Sequence, residues 1–424
     1  MRQRTDLDEA TAYKINQQGF CSRGRIAGYK YFRKEWRRQQ CTIEVRGMGI
    51  RGMVILAVLG GVGSAQADVQ FNCPTRLATL EQEVPAYLRT LAISADQVVQ
   101  TTDEQSGVLN LTLRTPAADT STLDFIARPA LSLADEAVRL PTATGKLRLV
   151  LTVSRKEIVL ALLQHGRVTE FKDEACKLEA LTDHVGVRQN IVAWAENLNW
   201  SWPDGRSAQW NSKFWRRGTP NPGVSIYAAF MDAFLHQEKY SIGCYTATKL
   251  VVVQGILDYF RRVKPDPARA RKVEKALLVD GEPLVDIEPG RMWHFEADFD
   301  THDLERPGKL LDIQTVAAPD NFVPGDWGYL LNTDADSARD AGYEGSNAIY
   351  LGRNRFDDYY NDHSHAYTYE QKLDEVYQWR NGVFNRIRDA KSIKPLTPEA
   401  LARLTATPAS GGIQLDIRVG PRHF

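Results

Sequence analysis

The chain has 424 residues, 43% of them hydrophobic and 25% charged, and a formal net charge of zero. That length holds two or three domains with their own cores, and the balance is that of a soluble globular protein. Residues 1–67 carry twelve Lys and Arg against five Asp and Glu, leaving 41 bases and 48 acids for the rest. A mildly acidic body without a basic stripe excludes nucleic-acid binding as the main task.

Residues 48–67 read as an export signal. Met48-Gly49-Ile50-Arg51-Gly52 is a basic lead, Met53–Gly63 is apolar, and Ser64-Ala65-Gln66-Ala67 ends as a small-x-small cleavage site. Cleavage after Ala67 leaves Asp68 as the expected mature start of a secreted or periplasmic protein. The apolar run is short for a bilayer span; an uncleaved anchor or a buried helix is the competing reading. Residues 1–47 are expected to reflect a start assigned too early, or else to be a basic tail or disordered extension. Beyond the signal the chain keeps Cys73, Cys176 and Cys244. Three is odd, and exported proteins pair their cysteines. A Cys73–Cys176 disulfide is expected, with Cys244 as the free thiol; three buried free cysteines is the bland alternative.

Residues 68–182 are expected to form an α+β accessory domain that binds or orients. Ala78–Leu91 reads as a helix broken near Pro85. Val108–Leu113, Lys146–Val153 and Glu157–Leu163 read as strands of period two. The main region, 183–390, opens with a helix over Val187–Leu198. A segment rich in Trp and turns follows from Trp200 to Pro222, then a helix over Ile226–Leu235. Ser241-Ile242-Gly243-Cys244 leads into Lys249–Phe260, which is apolar all round as a buried helix is. Pro265 and Pro267 end it. Phe322–Leu331 reads as a turn into a strand, Asn347–Gly352 as a second strand, and Tyr369–Gly382 as a helix closed by its glycine. Residues 391–424 are expected to be a loop-rich tail, flexible over 407–413.

The chemistry-bearing order is a cysteine at the head of a buried helix, then strands, then histidines, which is how papain-like thiol enzymes are built. A thiol attacks a carbonyl as the thiolate. A helix N-terminus offers unpaired N–H groups and a partial positive charge that favour the thiolate and an oxyanion. Gly243 is expected to permit a sharp entry turn, and Thr246 and Thr248 to help cap the helix. His363 and His365 are the candidate bases, two apart and so on one face of a strand. Glu344, Asn347 or Asp326 would fix the imidazole tautomer. The competing readings are a His-x-His metal site with Asp357, Asp358 or Asp362, and a surface pair without a role. His294 and His302, among acids, read as a solvated loop more readily than as a cation site.

Four blocks resemble the bacterial protein-glutamine gamma-glutamyltransferases of the spore-coat type. They are Arg188-Gln189-Asn190-Ile191-Val192-Ala193-Trp194-Ala195, Cys244-Tyr245-Thr246-Ala247, Gly325-Asp326 before an aromatic strand, and Gly345-Ser346-Asn347-Ala348-Ile349-Tyr350-Leu351-Gly352. The similarity covers roughly residues 186 to 380. Gly243 and Ser346 stand where the family has Glu, and Glu344 lies two residues before Ser346. The resemblance implies an α+β, papain-like catalytic domain in which Cys244 packs at a helix N-terminus against an antiparallel sheet. It implies Cys244 as nucleophile, His363 as base with His365 close behind, and no metal or cofactor. Cys244 would take a glutamine side chain as a thioester, release ammonia and pass the acyl group to a lysine amine of a protein or peptide. Trp200, Trp202, Trp210 and Trp215 would keep the site dry. Two alternatives stand beside this reading: a papain-like cell-wall amidase or endopeptidase, and an inactive exported binding protein.

Overall fold

The computed structural model describes residues 69–203, 208–216, 218–278, 311–315, 320–334, 336–339, 343, 345–357, 359, 366–382, 395, 397–405 and 414–421. A stretch dominated by helices from residue 178 to 276 is followed by a run of strands from 311 to 367. The class is α+β.

The first elements are β1 (Val69–Asn72), α1 (Leu77–Thr90), β2 (Val98–Asp103) and β3 (Val108–Leu113). Then come β4 (Glu136–Pro141), β5 (Leu147–Thr152), α2 (Arg155–Leu163), β6 (Thr169–Lys172) and α3 (Leu178–Ala195). The sheet order is β2-β3-β1-β6, and β4 and β5 form a separate hairpin. α1 runs through Pro85 without a break. The ring removes one helical hydrogen bond, and the carbonyl it frees belongs to Glu81, which is partly exposed and open to water. Glu157–Leu163 is helix, not strand. Ser154 caps it by accepting the Glu157 N–H, and nearly every side chain is buried. A short run that is apolar on all sides looks the same in either state; the Ser-x-x-Glu start was the deciding signal. Cys73 and Cys176 form a disulfide, joining the end of β1 to the approach to α3.

The second half holds β7 (Trp215–Arg216), β8 (Thr219–Pro220), α4 (Ile226–Leu235), α5 (Cys244–Asp258), α6 (Pro267–Ala276) and β9 (Leu311–Thr315). β10 (Trp327–Leu331), β11 (Gly345–Gly352), β12 (Arg355–Asp357), β13 (Ala366–Tyr367), α7 (Tyr369–Arg380), α8 (Pro398–Thr405) and β14 (Gln414–Pro421) complete it. The six-stranded sheet has the order β13-β12-β11-β10-β14-β9, and each pairing in it is antiparallel. Residues 391–424 are therefore not merely a tail, since they hold α8 and supply β14 to the middle of the sheet. Leu415, Ile417 and Val419 alternate with polar residues, which is the strand period. Residues 407–413 lie outside the described residues.

Strand alternation splits the sheet into two faces. Trp327, Ile349 and Leu351 join the large core that contains α3 and α5. Leu330 packs with Leu373, Val376, Trp379 and Leu404 of α7 and α8, and Ala348, Tyr350 and Phe356 cluster with Phe322. α5 is thus enclosed by α3, α4 and the inner face of β11. Its residues from Thr246 to Asp258 are all buried.

Candidate active site

The far end of α5 is held by side chains of α3. Asn190 Nδ2 donates to the Gly255 carbonyl at 2.8 Å, and Trp194 Nε1 donates to Asp258 Oδ2 at 2.9 Å. Tyr227 OH donates to Asp258 Oδ1 at 2.9 Å, and Arg262 pairs with the same carboxylate. A negative charge at a helix C-terminus opposes the helix dipole; these donors offset that. α3 crosses α5 so closely that a Cβ on Gly255 would strike the Ile191 backbone. These contacts fix the axis of α5, and so the position of its first residue, Cys244.

The sheet is held to the same helix. Asp326, fully buried, accepts from Arg188 Nη1 at 2.9 Å and from Arg167 Nη1 at 2.6 Å. Its Oδ2 also accepts the Val323 N–H at 2.8 Å. Burial pushes this carboxyl up, but the two guanidinium groups and the N–H outweigh it and hold it below the ordinary 3.8. Gly325 has φ +87° and lies against the Arg188 backbone, a place where only glycine fits without strain. Asp326 was one of three candidates to orient an imidazole. It instead clamps β10 onto α3.

Cys244 is the free cysteine among the described residues and is half-buried. Asn347 Nδ2 lies 3.6 Å from its Sγ. Trp327 Nε1 donates to Asn347 Oδ1 at 2.9 Å. An indole nitrogen only donates, so the amide oxygen must face Trp327 and the NH2 must face the sulfur. Tyr245 packs on Trp327 at 5.6 Å between ring centroids, and Lys249 Nζ lies 4.1 Å from the centre of the Tyr245 ring. Ser346, one residue before Asn347, points to the other face and meets Lys372 Nζ at 3.3 Å.

Two local expectations change. Gly243 is the N-cap at φ −71° and ψ 156°, a conformation open to any residue. What its missing side chain provides is space, since a Cβ there would meet nothing nearer than the Trp202 ring at 4.0 Å. Thr248 does not cap the helix; its Oγ1 donates back to the Cys244 carbonyl at 2.8 Å and lies 3.1 Å from Tyr359 OH. Of the four tryptophans, Trp200 and Trp215 are core residues whose indoles donate to the Ala233 and Ala229 carbonyls. Trp202 and Trp210 are half-buried.

The structure thus brings together Cys244 and Asn347. His363, His365 and Glu344 lie outside the described residues, as do His294, His302 and the segment 1–68. The nearest described residues before and after that segment are Tyr359, which is buried, and Ala366, which packs against the core that encloses α5. Sequence reasoning missed Trp327 as the partner of Asn347. The signal was its place two residues beyond Gly325, on a strand paired with β11. Among the described residues no cluster of three or more His, Cys, Asp or Glu is placed to hold a metal.

A family model described as protein-glutamine gamma-glutamyltransferase matches residues 141–381. No curated protein matches the chain in sequence. Among solved structures, the chain is similar to "Transglutaminase from Geobacillus stearothermophilus (without C-terminal extension)" at 18% identity. That likeness covers 58% of this chain and 94% of the other, with a TM-score of 0.34.

Proposed function

We propose that this chain, which belongs to the protein-glutamine gamma-glutamyltransferase family, forms its acyl-enzyme on Cys244. The sulfur attacks the side-chain amide carbon of a glutamine, and ammonia leaves with a proton returned to it. The thioester is then attacked by a lysine amine, which forms the isopeptide bond and restores the thiol. The observation that carries this reading is a half-buried free thiol, first in a buried helix and within the matched region, with a side-chain N–H donor 3.6 Å from its sulfur.

The N–H groups of the first turn of α5 supply donors for a tetrahedral oxyanion. Asn347 is suited to donate to developing negative charge beside the sulfur. His363, or His365 close behind, serves as base and Glu344 as its orienting partner. That assignment rests on chain order and family resemblance, and the packing of Tyr359 and Ala366 around the α5 core supports it. Trp202 beside Gly243 forms one wall, and an apolar wall favours an amine over water. The substrates are proteins or peptides presenting Gln and Lys. Export through the segment Met48–Ala67 is part of the proposal. A disulfide between Cys73 and Cys176 supports an oxidising compartment. Among the described residues no helix is long and apolar enough to cross a membrane. Residues 68–182 would orient protein substrates for residues 183–390.

The test is incubation of the protein with a glutamine-containing protein and a fluorescent primary amine. Incorporation that disappears in Cys244→Ala is the expected result. Ammonia release without amine incorporation would assign a hydrolase instead.

A further inference from the structure

Tyr359 is a bulky residue at φ +73° with no solvent exposure. A side chain of that size is disfavoured in the left-handed region and persists only where its surroundings over-determine it. Among the described residues, three contacts contribute to this. Its N–H donates to Asp357 Oδ1 at 2.8 Å, and its carbonyl accepts the Trp200 N–H at 3.0 Å. Its hydroxyl meets Thr248 Oγ1 at 3.1 Å.

Proton bookkeeping gives that last contact a direction. Thr248 has one hydroxyl proton, and it goes to the Cys244 carbonyl at 2.8 Å. That placement leaves Thr248 Oγ1 as an acceptor toward the Tyr359 hydroxyl. A continuous line therefore runs from the end of β12, through the phenol and the threonine, to the backbone of Cys244. Thr248 is itself completely buried. Glycine at 359 would relax the backbone but remove this line.

We infer that Tyr359 is a positioning residue that fixes the first turn of α5 against the sheet, holding the Cys244 sulfur in register with the Asn347 amide. The inference rests on Cys244 as the reacting group only for its effect on turnover; its effect on the sulfur itself can be read separately. The link joins β12 to α5, while Asn347 reaches the same turn from β11. Without the phenol hydroxyl the helix start is free to shift relative to the strand that carries Asn347.

The experiment compares wild type, Tyr359→Phe, Thr248→Val and the double variant. The rate of iodoacetamide alkylation at Cys244 is read by peptide mass spectrometry, alongside kcat and KM for amine incorporation and thermal melting. The expected result is alkylation and kcat about tenfold lower in either single variant with KM unchanged, and no further loss in the double variant, because both substitutions break one line. Wild-type alkylation in folded Tyr359→Phe, or losses that multiply in the double variant, would overturn the inference. A Cys244→Ala protein that still incorporates amine would remove the nucleophile assignment, while the alkylation series would still decide the role of Tyr359.

Discussion

Arg188 on α3 and Asp326 at the head of β10 form an ion pair at 2.9 Å, with side chains 2% and 0% exposed. Arg167 reaches the same carboxylate. Removing the acid would take from both buried guanidinium groups the carboxylate they share. Asp326→Ala is expected to destabilise the fold by roughly 3–5 kcal/mol, the usual result of breaking a buried pair from one side. Urea unfolding followed by tryptophan fluorescence measures this. An unchanged midpoint would show that the clamp is not structural.

Glu157 gives the stability a pH dependence of opposite sign to that of a salt-bridged acid. Burial pushes its carboxyl up from 4.5 to about 7, against the lowering effect of the Arg353 N–H and charge. The folded state therefore holds this proton more tightly than the unfolded chain, and stability falls as pH rises between those two values. Above pH 7 the charged form costs roughly 3 kcal/mol. Glu157→Gln keeps an oxygen for the Arg353 N–H, whose present partner is Glu157 Oε1 at 2.7 Å. That variant is expected to melt higher than wild type at pH 8 and nearly level with it at pH 5. A variant that melts lower at pH 8 would contradict the sign.

The Trp327–Asn347–Cys244 line makes a graded expectation for activity. Asn347→Ala removes the donor 3.6 Å from the sulfur and is expected to lower kcat roughly 10- to 100-fold, the worth of one hydrogen bond to a charged group. Trp327→Phe keeps the packing but releases the amide to rotate, and should give a smaller loss in kcat. Steady-state amine incorporation separates the two. Equal, full activity in both variants would sever Asn347 from the chemistry.

The crossing of α3 and α5 is set by Gly255, where a Cβ would meet the Ile191 Cα at 2.8 Å. Gly255→Val is expected to cost on the order of 3 kcal/mol through overpacking and to lower activity by displacing α5. Full stability and activity together would mean that the helices part there without consequence.

Much of the frame was legible because it obeys local rules. The unbroken apolar run after Cys244 marked a buried helix, and Ile226–Leu235 was bounded correctly by its pattern. The odd cysteine pointed to the Cys73–Cys176 bond. Period alone misled at Glu157–Leu163, where burial on every side erased the difference between strand and helix. It went unused at Gln414–Pro421, where glycine- and proline-rich neighbours masked a strand that the sheet completes from far along the chain. The roles of Asp326, Trp327 and Tyr359 are tertiary. Nothing within a few residues of Asp326 announces Arg167 or Arg188, and nothing near Tyr359 announces Thr248, 111 residues away.

The most direct test is to trap the covalent intermediate. The protein is mixed with a glutamine peptide in the absence of any amine, quenched in acid within the first turnover, and mapped by mass spectrometry. The expected product is the peptide less one ammonia, attached to the fragment bearing Cys244 and released by hydroxylamine. An adduct on any other residue, or steady amine incorporation by a Cys244→Ala protein, would contradict the assignment.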